Sequence, residues 1–78
     1  MLSPSQCRAA RGLVDWSQTK LAESAGVGVV TVRQFEKSAA IPRRATAAMI
    51  RAALESAGVE FIPENGGGAG VRLRKPAP

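Results

Sequence analysis

Apolar residues recur along this chain at two spacings. From Cys7 to Ala57 they fall three and four positions apart, the repeat of helices with one buried face, whereas from Val59 to Leu73 they alternate as in strands. Ser3 is followed by Pro4 and, three positions after the cap, by Gln6, which is the pattern of a capping box with proline at the first helical position. The spacing predicts a first helix to about Val14, with Cys7, Ala10, Leu13 and Val14 inward and Arg8 off that stripe. A second helix starts at the N-cap Ser17, with Trp16 and Leu21 placed as a hydrophobic staple. It stops at Gly26, a left-handed residue after which Val27 folds back onto the helix. A third runs from Gly28 to about Lys37 and turns Val32 and Phe35 inward. Pro42 disfavours a helical Ile41, so "SAAIPRR" reads as a connector. A fourth helix follows from about Arg44 to Ala57, with Met49, Ile50, Ala53, Leu54 and Ala57 inward and Gly58 closing it.

Beyond Gly58, "VEFI" and "VRLRK" read as two strands joined across the Gly-rich "PENGGGAG". The glycine run lacks the Lys-Ser/Thr and the following helix of a phosphate loop, so a hairpin loop is the better reading. A lone hairpin is marginal in water, and Val59, Phe61, Val71 and Leu73 need a cover. A second copy of the chain would supply it and make these four residues a dimerisation element; the alternative is that the hairpin folds back on its own helices. The expected organisation is a helical domain over 1–58, a hairpin over 59–75 and a disordered tail over 76–78.

Composition narrows the function. A chain of 78 residues is one small domain with a thin stability margin. Eleven Lys and Arg against six Asp and Glu give a net charge of +5, which suits an anionic partner such as nucleic acid. There is one cysteine and no histidine, so an internal disulfide, a zinc site and a His-based catalytic dyad are all excluded. No enzyme, cofactor or metal is expected, and Cys7 reads as a small buried hydrophobe. No stretch approaches the ~20 apolar residues of a membrane span, so no membrane partner is expected and a reducing cytoplasm is the expected location.

The second and third helices can be tested against the packing needs of a helix-turn-helix. With Gln18 as the first position, apolar residues are required at the fourth, eighth, tenth, fifteenth and eighteenth, and Leu21, Ala25, Val27, Val32 and Phe35 occupy them. The fifth must be small and the ninth must tolerate a left-handed backbone; these are Ala22 and Gly26. Through "WSQTKLAESAGVGVVTVRQFEKS" and the "IPRR" that leads into the fourth helix, the sequence resembles the phage-repressor-like XRE family of helix-turn-helix regulators over roughly residues 4–57. The resemblance implies a mainly α fold, a four-helix repressor-like domain, here followed by a short C-terminal β-hairpin where the family has a fifth helix. It also implies a partner, double-stranded DNA, bound by a homodimer that inserts the third helix into the major groove of an inverted repeat.

Carried over position by position, the resemblance makes Gln18 a phosphate-holding residue and Val29, Val30, Arg33 and Gln34 base-facing. Thr31 and Lys37 become backbone contacts, and Arg43 and Arg44 phosphate contacts before the fourth helix. Helical spacing independently puts Val30, Arg33, Gln34 and Lys37 on one face, opposite Val32 and Phe35. Arginine can bond both guanine acceptors and glutamine both adenine groups, while valine offers the thymine methyl only apolar contact. The valine pair either meets thymine methyls, fits the groove by shape, or covers part of a protein interface.

In the family an arginine of the first helix often pairs with a glutamate near the end of the third, which makes Arg11 and Glu36 a structural ion pair. Arg8 and Arg51 carry no specific signal and read as solvated charges. Arg72 and Arg74, with Lys75 just after, read either as phosphate contacts or as a solvated strand face. The leading expectation is a sequence-specific transcriptional regulator, a repressor or autoregulator. The alternatives are a module that occupies a protein partner, such as an antitoxin or anti-activator, and an architectural or excision factor that bends DNA.

Overall fold

A computed structural model describes residues 2–37 and 44–74. The connector with Ile41, Pro42 and Arg43, and the end with Lys75 and the tail 76–78, lie outside the described residues. Four helices and a hairpin follow in order: α1 (Pro4–Val14), α2 (Gln18–Ala25), α3 (Val29–Glu36), α4 (Arg44–Ser56), β1 (Val59–Ile62) and β2 (Gly70–Leu73). The protein is mainly α.

The punctuation of the helices follows local chemistry. Ser3 Oγ accepts from the Gln6 amide at 3.1 Å and Gln6 Oε1 accepts from the Ser3 amide at 3.0 Å, so two first-turn donors of α1 are satisfied reciprocally. Ser17 Oγ accepts from the Lys20 amide and starts α2. Gly26, at φ 74°, ends it; the amides of Gly26 and Val27 both bond the Ala22 carbonyl, and the chain turns sharply into α3. Helix α1 ends on Asp15, a left-handed residue that is not glycine (φ 58°), so the Trp16 amide can reach back to the Arg11 carbonyl.

The core is continuous through helices and hairpin. Cys7 and Ala10 of α1, Leu21 and Ala22 of α2, Val32 and Phe35 of α3, and Ile50 and Leu54 of α4 meet Val59 and Phe61 of β1. Two expected core residues sit at its margin. Leu13 (39% exposed) and Met49 (44% exposed) are each one residue, about 100° of helix turn, off the buried stripe. On α4 that stripe is Ala47, Ile50 and Leu54, and Leu2, ahead of the first cap, is buried too.

The strands pair antiparallel, Val59 with Leu73 and Phe61 with Val71. Their common face turns onto the chain's own helices: Val59 and Phe61 are buried and Val71 half-buried, leaving Leu73 as the exposed apolar residue. Of the four residues read as a dimerisation element, the two on β1 are therefore covered within the monomer. Gln6 ties the hairpin down, its Nε2 donating to the Gly70 carbonyl at 3.1 Å.

Two glycines of opposite character test this account. Gly12 lies inside α1 with open space around its α-carbon, so Gly12→Ala should stabilise the protein by about 0.5–1 kcal/mol. Gly26→Ala forces a side chain into the left-handed region and should cost about 1–2 kcal/mol. Urea denaturation should move the two midpoints in opposite directions.

Candidate nucleic-acid interface

Helix α3 is short, and its two sides are chemically unlike. Val32, Phe35 and Glu36 are buried, whereas Val30, Thr31, Arg33, Gln34 and Lys37 are exposed. Val30, Arg33, Gln34 and Lys37 thus form one outward row of apolar, cationic and amide groups. The two valines part company here. Val30 is 57% exposed, while Val29 is half-buried, packed in part against the core. Arg44, the first residue of α4, is exposed. Arg43 lies outside the described residues.

Behind the row, Glu36 determines how α3 is held. Its carboxylate is almost fully buried and receives Arg11 in bidentate fashion, Nε to Oε2 and Nη2 to Oε1, both at 2.7 Å. Gln18 Nε2 donates to Oε1 at 3.1 Å and the Cys7 thiol to Oε2 at 3.1 Å. Arg8 donates to the Glu36 main-chain carbonyl, and Arg11 Nη1 to that of Trp16 at 3.0 Å. Burial alone would raise the Glu36 carboxyl, but the hydrogen bonds from Arg11, Cys7 and Gln18 outweigh it and hold it below the usual carboxyl range. The Cys7 thiol is pushed well above its ordinary value by burial and by the Glu36 carboxylate.

Sequence reasoning missed part of this network. Arg8 has the pattern of a solvated charge, yet it bonds the last turn of α3; its place three residues before Arg11 puts both on one side of α1. The resemblance makes Gln18 a phosphate ligand alone, yet one of its amide hydrogens is engaged by Glu36. The other remains for a second acceptor, because a carboxamide carries two. Arg51 is likewise not merely solvated: it lies over the Phe61 ring at 5.1 Å and pairs with Glu55. Arg72 pairs across the hairpin with Glu60, and Arg74 reaches the Glu55 carbonyl. Arg33 and Lys37 belong to none of the three ion pairs among the described residues.

Two helices crossing at a glycine turn, the second with an exposed arginine, glutamine and lysine, define a helix-turn-helix DNA-binding protein. Residues 8–61 match the helix-turn-helix family, and the chain belongs to that family as a DNA-binding regulator of XRE type. No curated protein matches the chain. Among the described residues no helix is long and apolar enough to cross a membrane.

Arg11→Met should leave the Glu36 charge buried with weaker partners and cost about 3 kcal/mol in urea denaturation. The carboxyl is depressed in the folded state, so its contribution is complete above the ordinary value of about 4.5 and is lost as pH falls through the folded value. Stability of the natural protein should therefore decline with acid below that pH, and Glu36→Gln should flatten the decline.

Proposed function

We propose that the protein is a sequence-specific transcriptional regulator, a repressor or autoregulator in the cytoplasm, that binds an inverted-repeat operator as a homodimer with α3 in the major groove. The observation that carries this reading is the outward row on α3, set against the buried Val32, Phe35 and Glu36 of the same helix. Arg33 would take the O6 and N7 acceptors of a guanine, Gln34 the paired groups of an adenine, and Val30 a thymine methyl. Val29, half-buried at the start of α3, would contribute to the fit of the helix in the groove rather than to a base contact of its own.

Thr31, Lys37 and Arg44, together with Arg43 of the connector, would engage phosphates. Gln18, held by Glu36 through one amide hydrogen, would offer the other to a phosphate at the start of α2. In this arrangement the Arg11–Glu36 pair is structural: it sets the angle of α3 and touches no DNA.

Selection from random duplexes should recover an inverted repeat, and Arg33→Ala with Gln34→Ala should no longer select it. Each lost bidentate contact should cost about 1–3 kcal/mol of discrimination. No enriched motif for the natural protein would instead favour a protein partner. Val30→Ser should change base preference at the position it faces, whereas Val29→Ser should act mainly on stability.

With about six phosphates engaged, affinity should fall on the order of a thousandfold between roughly 50 and 200 mM salt. Lys37→Ala should weaken binding to all sequences alike and make that salt response shallower by about one phosphate. Titrations at several salt concentrations would check both.

A further inference from the structure

The connection between the two strands holds a reactive pair, Asn65 and Gly66. Asn65 is the chain's one asparagine, and it lies in an exposed run from Pro63 to Ala69. Gly66 has a left-handed backbone, φ 81°, and open space where a β-carbon would stand. Among the described residues neither the Asn65 carboxamide nor the Gly66 amide is held by a hydrogen bond. We propose that Asn65 is a modification site, at which ring closure onto the Gly66 nitrogen and hydrolysis turn the asparagine into aspartate and isoaspartate.

The reaction needs only water. The Gly66 main-chain nitrogen gives up its proton to hydroxide or water and attacks Asn65 Cγ; the new N–C bond closes a five-membered cyclic imide, the Cγ–Nδ2 bond breaks, and ammonia leaves. Water then opens the ring at one of its two carbonyls. Cleavage between the nitrogen and Cγ gives aspartate, whereas cleavage between the nitrogen and the Asn65 main-chain carbonyl gives isoaspartate, in which the chain runs on through Cγ. Either product replaces a neutral amide with a carboxylate and lowers the net charge of +5 by one. Isoaspartate also lengthens the main chain by a methylene.

The structure singles out this position among the chain's amides and acids. Glycine offers the attacking nitrogen no side chain to crowd it, and the exposed loop lets Asn65 reach the closing geometry without unfolding the hairpin. The loop's ends stay fixed, because Ile62 pairs with Gly70 and Gln6 donates to the Gly70 carbonyl. Asp15, the chain's one aspartate, could close the same ring onto Trp16, but the Trp16 amide is committed to the Arg11 carbonyl at 3.0 Å and its indole crowds the nitrogen. A glutamine would have to close a larger ring, and Gln6 and Gln18 are further held by Gly70 and Glu36.

The test incubates the folded protein beside a synthetic peptide of residues 62–70, from neutral to mildly alkaline pH, and follows both by ion exchange, mass spectrometry and peptide mapping. A more acidic species should build up in the protein, heavier by the difference between an amide and an acid and mapped to Asn65. It should form about as fast as in the peptide and faster at higher pH, because the attacking nitrogen must lose its proton. Asn65→Gln should abolish it, and Gly66→Ala should slow it in protein and peptide alike. A folded protein that stays unmodified while the peptide converts, an acidic species that persists in Asn65→Gln, or conversion at Asp15 as fast as at Asn65 overturns the proposal.

Discussion

A buried carboxylate on α3 governs the arrangement of the first three helices. An ionised Glu36 without partners would cost several kcal/mol, a large share of the roughly 4–12 kcal/mol expected for a chain of this length. Its partners come from elsewhere: Cys7 and Arg11 from α1 and Gln18 from α2. The charge is tolerable only when all three helices are docked, and the bidentate geometry of Arg11 admits little variation in how α3 lies. Hydrophobic contact between Leu21, Val32 and Phe35 supplies the attraction, which is non-directional. The ion pair and its satellites supply the direction, and the two together fix how α3 lies against α1 and α2.

Much of the helical architecture was legible because it is written in local chemistry. The capping box at Ser3, the cap at Ser17 and the left-handed Gly26 each follow from residue type at a fixed offset. The helix-turn-helix spacing needed only positions within one short stretch. Where the reading erred, the missing information was rotational or long-range. Leu13 and Met49 match the apolar repeat, but a narrow helix stripe excludes residues one position off its centre. The exposure of Val30 beside the half-burial of Val29 reflects the same geometry, and it separates two residues that composition treats as equivalent.

Long-range partners were harder to foresee. That Cys7 donates to Glu36, that Arg8 reaches the end of α3, and that Gln6 serves both its own cap and the hairpin all depend on how distant elements dock. The hairpin shows this most clearly. Its alternating pattern identified the strands and their apolar face, but not what would cover them. The structure lays Val59 and Phe61 on α1 and α4, so the strands complete the core of the chain's own helices. The left-handed Asp15 gave no signal comparable to a glycine.

The division of α3 into a buried and an outward side also bears on how such a protein can diverge. Val30, Arg33, Gln34 and Lys37 are exposed, while the side chains that anchor the helix point the other way. A duplicated gene could exchange those four residues and change the outward chemistry of the helix without passing through unfolded intermediates, because none of the changes opens a cavity or strands the Glu36 charge. Natural variation should therefore be permissive at the outward positions and sparing at Arg11, Gln18 and Glu36, with change in either member of the ion pair requiring compensation in the other.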